Sequence, residues 1–438
     1  MFNISLFVAE IEEQLKLWRR EFHKFPEASW TEYRTACEVV KNLETMGYEV
    51  LWGPSVVSAE ARMGLPPQEI LEQSWQRALK QGADPKIINT MQGGFTGVLG
   101  LFKTCRPGPT VALRFELDAL EIAESDAESH YPFREKFSSL NPGIMHACGH
   151  DGHLAIGLGV AKILIKLKEH LAGTIKLIFQ PAEEGVRGAQ SMVEAGVLDD
   201  VDYFISGHIG LGVNNIGEIV CGSEGFLDTS KYDVEYIGSS AHAGHNPENG
   251  KNALLAAATA IINLHAISRH GQGSSRVNVG TLNSGNGRNL IPSWAKYTLE
   301  TRGETEEINK YMVEKAKRII QGAAEMYDVS FNIRKMGSAH GAVSNDQLIS
   351  LVAKTLDDIS DVKKVHLKKQ FTASEDVTNM MRLVQDKGGL ATYLLFGSEI
   401  TGGHHQGNFD FDEKVLPIAT RVLLETILRI VRLPERGE

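Results

Sequence analysis

The sequence predicts an α/β protein with a mostly parallel sheet, helices on both faces of that sheet, and a smaller α+β domain inserted into the larger one. From residue 110 onward, short apolar runs alternate with stretches of helical periodicity, as in a parallel sheet that is covered on both sides. Residues 227–336 instead follow the order strand, helix, strand, strand, helix, strand, which is typical of a split-βαβ unit. Since 438 residues suit two or three domains, we predict a larger domain over residues 1–226 and 337–438 and an inserted domain over residues 227–336.

The chain begins with an amphipathic helix. Ile11, Leu15, Trp18 and Phe22 recur at helical spacing, which places them on one face, and Pro26 ends the helix. Residues 55–95 follow as an excursion that is rich in Glu and Gln, helical in places and interrupted by prolines.

The strands predicted for the larger domain are apolar and β-branched. They cover residues 110–117, 174–179, 203–206 and 391–396. A long helix is predicted over residues 152–170, with Asp151 as its N-cap residue. In the inserted domain, strands are predicted over residues 230–237, 276–282, 295–301 and 329–335, and helices over residues 252–270 and 306–327.

The composition argues against several classes of function. Lys and Arg number 45 against 55 Asp and Glu, a net charge of -10, which disfavours nucleic-acid binding and docking on an anionic membrane. No stretch approaches the roughly 20 apolar residues that span a bilayer. The 4 cysteines lie far apart, so we expect no disulfide framework and a cytoplasmic, reducing location.

The densest chemical signal lies at residues 145–153, where a helix is about to begin. It contains the potential metal ligands His146, Cys148, His150, Asp151 and His153. Thiolate and imidazole ligands suit Zn, Mn, Fe or Co, and a helix N-terminus favours the thiolate. For this block alone, a loop with one buried cysteine and solvated histidines is an equally good interpretation.

Other polar residues follow the predicted strands, and their shared position favours a metal site. Each alone is explained by a helix cap, an acidic loop or a histidine satisfied in the core. Together they meet at the carboxyl edge of the sheet, where open α/β sheets bind ligands. The residues at this edge are Asp118, Glu183, Glu184, His208 and His405. We therefore predict two ions that share Cys148, His150, Glu184, His208 and His405.

Two such ions would polarise a scissile carbonyl and lower the pKa of a water molecule. Glu183 could then take the proton from that water and pass it to a leaving amine. Cys148 could instead act as a nucleophile, but this needs a histidine base that is free of metal, and the nearby histidines are better used as ligands.

The inserted domain contributes a further cluster of polar residues. His242 lies in a Gly/Ser-rich turn, Arg288 and Asn289 lie in a second turn, and Arg302 ends a predicted strand. Such groups can hold a carboxylate and a developing oxyanion. Surface turns and surface ion pairs are the alternative, which for Arg302 the sequence favours.

Several motifs occur in the order found in one enzyme family. They are the run from Trp18 to Glu27, the block from Cys148 to His153, Pro181 to Gly185, Ala241 to Gly244, and Asn289 to Pro292. In combination they resemble the aminoacylase/carboxypeptidase metallohydrolases, in the branch that contains hippurate and auxin-conjugate amidohydrolases. The excursion, the phrase Gly93 to Gly97 and His404-His405 resemble a member of that branch that cleaves p-aminobenzoyl-glutamate, a folate breakdown product.

The resemblance implies a zinc-exopeptidase-like catalytic domain with a ferredoxin-like lid and dimerisation domain, and a dinuclear Mn- or Zn-dependent amidase. It implies the ligands Cys148, His150, Glu184, His208 and His405, the general base Glu183, and His242 as an oxyanion donor to a partner chain. Asp118 would stand behind the ligands, and Asn289, Arg288 and Arg302 would hold a substrate carboxylate. The chain departs from the branch after His405, where Gln406 and Gly407 replace Ser-Pro, and after His208, where the usual proline is missing.

Two hypotheses of function follow. The first is hydrolysis of an aroyl-glutamate such as p-aminobenzoyl-glutamate, with hippurate, an N-acetyl-diamino acid or an auxin conjugate as alternative substrates. The second is a metal-loaded, non-catalytic subunit that docks a paralogous partner. The assembly would be a homodimer or a heterodimer with such a partner, and Glu183 separates the two hypotheses because a structural metal site does not need it.

Overall fold

The computed structural model describes residues 3–432. The outermost residues of the predicted larger domain, 1–2 and 433–438, lie outside this range. No helix within it is long and apolar enough to cross a membrane.

The helices and strands are numbered here along the chain. The α-helices are α1 (Ile4–Lys24), α2 (Tyr33–Met46), α3 (Gln68–Lys80), α4 (Pro85–Ile88), α5 (Tyr131–Arg134), α6 (His150–Lys166), α7 (Ala189–Glu194), α8 (Ala253–His265), α9 (Glu306–Met326), α10 (Asp346–Leu356), α11 (Val377–Asp386) and α12 (Val415–Val431). The strands are β1 (Glu49–Trp52), β2 (Val98–Lys103), β3 (Thr110–Glu116), β4 (Thr174–Gln180), β5 (Tyr203–Ile209), β6 (Glu218–Val220), β7 (Ser223–Glu224), β8 (Asp228–Ile237), β9 (Ser275–Ser284), β10 (Trp294–Gly303), β11 (Ser330–Ala339), β12 (Lys364–His366), β13 (Lys369–Gln370), β14 (Leu390–Phe396), β15 (Ile400–Thr401) and β16 (Asp410–Phe411).

The larger sheet has the predicted parallel centre and antiparallel additions at its edges. Its strand order is β1-β2-β4-β3-β5-β14-β6-β12. The four strands predicted from apolar runs, β4, β3, β5 and β14, are mutually parallel neighbours. β1 pairs antiparallel with β2, β2 with β4, and β6 with β14, whereas the edge strand β12 pairs parallel with β6. The sheet is therefore mixed but mostly parallel, as expected for strands joined by helical crossovers.

Helices cover both faces of this sheet, so the central strands are buried on both sides. Along β3, Leu113 and Phe115 face one core, which α1, α2, α6, α10 and α12 complete. Ala112 faces the opposite core, to which α7 and α11 contribute. Side chains alternate between the faces of a strand, so a strand buried on both faces is apolar throughout.

The second sheet is a four-stranded antiparallel unit with the order β11-β8-β10-β9. Helices α8 and α9 pack on it and close a separate apolar core. The order β8-α8-β9-β10-α9-β11 is the predicted split-βαβ order, although α8 ends at His265, earlier than predicted. This sheet forms the predicted inserted α+β unit, and its boundaries at residues 227 and 336 remain a prediction.

The start of α6 differs from the prediction. Gly149 is the N-cap residue with φ 91°, and Asp151 already lies in the first turn, so the assignment of Asp151 as N-cap is wrong. The Asp151 carboxylate is instead buried against Arg19 and His23 of α1. A positive φ favours glycine, and Gly149 lets the chain turn sharply between Cys148 and His150.

Candidate metal centre

The five side chains predicted to bind metal come together at the carboxyl edge of the larger sheet. Cys148 Sγ lies 3.4 Å from His208 Nε2. His405 Nε2 lies 3.5 Å from Glu184 Oε1. The ligand atoms of Cys148, His150 and His208 lie within 4.8 Å of one another, and so do those of Cys148, Glu184 and His405. The two groups share Cys148, so two ions held by them would be neighbours.

Each ligand reaches the centre from a different element. His208 lies inside β5, which runs three residues further than its apolar run predicts and ends at Ile209. Cys148 precedes α6 and His150 is its first residue. Glu184 follows β4, and His405 follows β14 in the connection between β15 and β16. The parallel strands bring these distant residues to one edge.

Backbone carbonyls fix the orientation of two imidazoles. His150 Nδ1 donates to the Asp118 carbonyl at 2.8 Å, and His208 Nδ1 donates to the Ile209 carbonyl at 2.7 Å. In each ring Nδ1 thus carries a proton, and Nε2, which faces the centre, is the nitrogen that would bind a metal. Metal-binding histidines characteristically donate their other ring N–H in this way.

Two buried polar atoms of the centre have no hydrogen-bond partner in the described chain. They are His150 Nε2 and Glu184 Oε1. Buried polar atoms are nearly always paired, so each orphan needs an explanation. A divalent cation bound between these atoms would satisfy both, and the combined thiolate, imidazole and carboxylate donors suit Zn or Mn. The residues present therefore fit a metal centre.

Asp118 holds several residues of the centre in place through hydrogen bonds. Its carboxylate accepts hydrogen bonds from the Glu184 backbone N–H at 2.9 Å, the Glu183 backbone N–H at 3.2 Å and the Ser29 hydroxyl at 2.7 Å. Its carbonyl holds His150. One residue thus fixes both the acidic loop after β4 and a histidine of α6.

The centre concentrates acidic groups away from water. Burial raises the pKa of the Cys148 thiol well above its usual range, and Glu184 and Glu183 add to the effect. Burial also raises the pKa of Glu184 to about 7, although His150 opposes this shift. Burial and the charges of Glu375 and Glu184 raise the pKa of Glu183. A bound divalent cation would reverse these shifts for its ligands, since it is the largest local charge in such a site.

His404 and His405 have different environments. His405 has φ 64°, and its backbone N–H donates to the Ala147 carbonyl at 2.8 Å, next to Cys148. Its side chain faces Glu184. His404 Nε2 lies 3.4 Å from the Ile209 carbonyl, and its ring packs on the Phe409 ring with 4.9 Å between the centroids. The geometry therefore favours His405 as the ligand.

Four other predicted residues do not join the centre within one chain. His242, Arg288 and Asn289 are exposed on the inserted unit, and Arg302 pairs with Glu300 at 2.5 Å. Within residues 3–432, no hydrogen bond or ion pair connects any of them to the five ligands. Their proposed contacts with substrate need a partner chain or a movement of the inserted unit.

Sequence reasoning missed two buried ionic networks behind the centre. Arg19 Nε and His23 Nδ1 bind the Asp151 carboxylate at 2.9 Å and 2.8 Å, which anchors α1 to the first turn of α6. An Arg and a His four residues apart on the apolar face of α1 were the available signal, since that face is buried.

The second network fixes β5 beside His208. His153 Nδ1 binds the Glu116 carboxylate at 2.8 Å, and His153 Nε2 accepts a hydrogen bond from the Ile209 N–H at 3.0 Å. His153 therefore supports the strand that carries a ligand, with both of its ring nitrogens engaged. His146, the remaining histidine of the motif, is buried, and burial lowers its pKa to about 3.

Comparisons with known proteins agree with this geometry. Residues 112–429 match the model of Peptidase family M20/M25/M40. The chain is 48% identical to indole-3-acetyl-aspartic acid hydrolase of Enterobacter agglomerans, over 97% of this chain and 98% of that protein. It is 47% identical to one of the subunits of p-aminobenzoyl-glutamate hydrolase of Escherichia coli, over 98% of both chains.

Solved structures share the fold along nearly the whole chain. An aminobenzoyl-glutamate utilization protein from Klebsiella pneumoniae superposes with a TM-score of 0.84 at 40% identity, over 98% of both chains. A dinuclear metal binding peptidase of the M20 family from Bacillus subtilis superposes with a TM-score of 0.66 at 23% identity, over 96% of this chain and 98% of that one.

Proposed function

Since the chain belongs to peptidase family M20/M25/M40, whose members are dinuclear metal-dependent enzymes, and is a hydrolase acting on amide bonds, we propose that it cleaves the amide bond of p-aminobenzoyl-glutamate to p-aminobenzoate and glutamate. The observation that carries this proposal is the convergence of five metal-ligating side chains beside the free carboxylate of Glu183. The near full-length identity to one chain of a p-aminobenzoyl-glutamate hydrolase supports the substrate.

In this proposal Cys148, His150, Glu184, His208 and His405 hold two divalent ions, Mn or Zn. When bound, such ions polarise the scissile carbonyl and lower the pKa of water. Asp118 keeps His150 and the loop of Glu183 and Glu184 in place, so the ligands are arranged before the substrate arrives. Preorganisation of this kind lowers the cost of reaching the transition state.

Glu183 moves the proton. Its Oε2 lies 3.9 Å from His150 Nε2, so the carboxylate stands at the centre's edge. It takes a proton from the attacking water and delivers that proton to the nitrogen of the leaving glutamate. The raised pKa that burial and Glu375 give Glu183 suits a group that must hold a proton between these two steps.

The inserted unit would complete the site. We propose that residues 227–336 act as a lid and dimerisation domain, with His242 donating to the developing oxyanion in the centre of a partner chain. Arg288 and Asn289 would hold the α-carboxylate of the substrate, whereas Arg302 lies at the opposite end of β10 from their turn and pairs with Glu300. The relative from Escherichia coli is named as one subunit of its hydrolase, which supports an assembly of more than one chain, either a homodimer or a heterodimer with a paralogous chain. The four free cysteines support a reducing cytoplasm as the compartment of this folate-catabolic reaction.

A second candidate substrate is indole-3-acetyl-aspartate. The relative from Enterobacter agglomerans, which is 48% identical to this chain, is named for its action on that compound. Both candidates join an aromatic acyl group to an acidic amino acid, so they differ in the acyl group and by one methylene in the amino acid.

Amino-acid release from a substrate panel tests the proposal. The metal-loaded chain, alone and coexpressed with a paralogous chain, would be given p-aminobenzoyl-glutamate, indole-3-acetyl-aspartate, hippurate and an N-acetyl-diamino acid. We expect the highest kcat/KM for p-aminobenzoyl-glutamate. Equal rates across the panel, or preference for hippurate, would contradict the proposed substrate while leaving the amidase chemistry intact.

Replacement of the general base tests the mechanism. We expect Glu183→Gln to lower kcat by about 10²–10⁴-fold, while the chain keeps its fold and its metal content by elemental analysis. The amide is isosteric with the carboxylate but cannot accept the proton. Unchanged turnover in this variant would favour a metal-loaded chain that takes no part in catalysis.

A further inference from the structure

A cleft of about 590 Å³ opens from the metal centre toward the excursion at residues 55–95. Glu184 lines this cleft, and so do the cationic side chains of Arg77 and Arg187. Its volume falls in the range of small-molecule binding sites. The cleft therefore connects the reacting centre with a region that carries positive charge.

One face of α3 forms a wall of this cleft. Ile70, Gln73, Ser74 and Arg77 all line it, and their spacing of three and four residues places them on the same side of the helix. The remaining wall residues include Leu120, Ile122 and Ile144, which are apolar. The excursion thus supplies one cationic side chain, Arg77, to a cleft that several apolar side chains also line.

Arg77 is the unusual member of this wall. Its Nε and one terminal nitrogen are buried, and neither has a hydrogen-bond partner in the described chain. The neighbouring buried carboxylate of Glu27 does not take up the guanidinium, because it accepts the backbone N–H groups of Arg34 and Thr35 and the Thr35 hydroxyl. A buried guanidinium with free donors is costly unless a ligand supplies the acceptor.

Arg187 differs from Arg77 in this respect. Its guanidinium donates to the Gly64 carbonyl at 3.3 Å. Arg187 therefore ties the excursion to the loop that carries Glu184, whereas Arg77 keeps its planar fork of donors for another group. That fork matches the geometry of a carboxylate.

We infer that Arg77 is the specificity-determining residue that binds the side-chain carboxylate of the substrate's amino acid. The inference rests on the proposed function, in which the leaving amino acid carries two carboxylates. One chain places Arg77 in the same cleft as Glu184, whereas the groups assigned to the α-carboxylate lie on the inserted unit. The two carboxylates would thus be recognised by different parts of the molecule.

A pair of isosteric substrates tests this inference. The metal-loaded protein would hydrolyse p-aminobenzoyl-glutamate and p-aminobenzoyl-glutamine, which differ only in the side-chain carboxylate. For the wild type we expect kcat/KM to favour the glutamyl substrate. Arg77→Gln should lower kcat/KM for the glutamyl substrate by about 100-fold, mainly through KM, and leave the glutaminyl rate unchanged.

Two further variants control the result. Lys80→Gln removes one positive charge from an exposed position three residues further along α3, and it should keep the wild-type preference. Arg77→Lys keeps the charge but loses the planar fork, and it should show an intermediate loss on the glutamyl substrate only. This variant also keeps the test valid if Arg77→Gln fails to fold.

The outcomes separate the two claims. If Arg77→Gln and Arg77→Lys keep the wild-type ratio of glutamyl to glutaminyl rates, the role of Arg77 is wrong and the proposed function stands. If Lys80→Gln loses the preference as Arg77→Gln does, the effect is one of general charge and the role of Arg77 is again wrong. If the wild type cleaves neither substrate but cleaves hippurate, the proposed function fails, and the inference fails with it.

Discussion

His404 and His405 are adjacent in sequence but meet different groups. The His405 imidazole faces Glu184, whereas His404 packs against Phe409 and the Ile209 carbonyl. We expect His405→Ala to weaken binding of one metal ion by about 100-fold or more. Even the loss of a hydrogen-bond partner of a metal ligand typically lowers metal affinity by about 10–100-fold, and His405 is proposed to bind the metal directly. Metal content per chain and kcat measure the effect.

His404→Ala is the matched control. The His404 side chain is half-buried, and burial lowers its pKa to about 4. The imidazole is therefore neutral near pH 7 and contributes packing rather than charge. We expect this variant to keep both ions. If His404→Ala lost metal and His405→Ala kept its full metal content, the assignment of the two residues would be reversed.

His23 makes stability depend on pH. Burial opposes its charge, but hydrogen bonds from its ring to Asp151 and Glu124 outweigh burial and raise the pKa to about 9 from 6.5. A raised folded-state pKa contributes stability that is complete below pH 6.5 and is lost as the pH rises through 9. The contribution is about 3 kcal/mol.

Denaturant unfolding between pH 6 and pH 10 tests this effect. The wild type should lose stability across this window, whereas His23→Gln should be less stable at pH 6 and nearly independent of pH. His265→Gln, at an exposed position at the end of α8, should keep the wild-type slope. A wild-type slope in His23→Gln would contradict the role of His23.

The convergence of the five candidate ligands could be predicted because each lies at or just beyond the carboxyl end of a strand or at a helix start. The role of Asp151 could not be interpreted correctly, because its partner Arg19 lies 132 residues away. The residues next to Asp151 in sequence do not indicate this ion pair. Arg77 was also missed, since a charged residue on a Gln-rich helix normally faces solvent. Only the three-dimensional fold places it against the cleft.

Close packing of α6 on the sheet depends on glycine. A Cβ atom at Gly157 would lie 2.8 Å from the ring of Phe115 on β3. We expect Gly157→Ala to destabilise the protein by about 1–3 kcal/mol, because the ring cannot move without disturbing Phe179 beside it. Thermal unfolding measures the change.

Gly322 in α9 gives the opposite result and serves as the control. Apart from its chain neighbours and the nearby backbone of α9 itself, no atom of residues 3–432 lies within 4 Å of a Cβ built at this position. Gly322→Ala should stabilise the protein by about 0.5–1 kcal/mol through the lower entropy of the unfolded chain. Stabilisation by both substitutions to the same extent would show that helix propensity, rather than packing, decides the outcome.

The elements themselves were predictable where one periodicity dominated. The parallel strands β3, β4, β5 and β14 are apolar on both faces, and the inserted unit has a clear strand and helix order. The short antiparallel β6 was not predicted, because its three residues carry too little pattern and its pairing with β14 is set by tertiary contacts. The end of β5 was placed too early, since Gly207 and His208 interrupt the apolar run.

The two sheets carry different sets of candidate site residues. The five candidate metal ligands lie at the carboxyl edge of the larger sheet, and the antiparallel sheet carries His242 on an exposed turn whose backbone pairs with Leu290. Within the described residues of a single chain, the proposed oxyanion donor His242 therefore makes no contact with the candidate metal centre. A symmetric dimer can resolve this separation if each inserted unit reaches the partner's centre.

Complementation between two inactive variants tests that arrangement. Glu183→Gln lacks the base and His242→Ala lacks the donor, so each homodimer should be nearly inactive. In a mixed dimer, the chain with intact Glu183 receives an intact His242 from its partner, and one of the two centres becomes complete. Random coassembly should therefore restore about a quarter of wild-type activity, because about half of the dimers are mixed. Coexpression of Glu183→Gln with His405→Ala is the control and should restore nothing, since each chain then carries a defect in its own centre. Failure of the Glu183→Gln and His242→Ala pair, together with activation of the wild type by a paralogous chain, would mean that the donor comes from that chain.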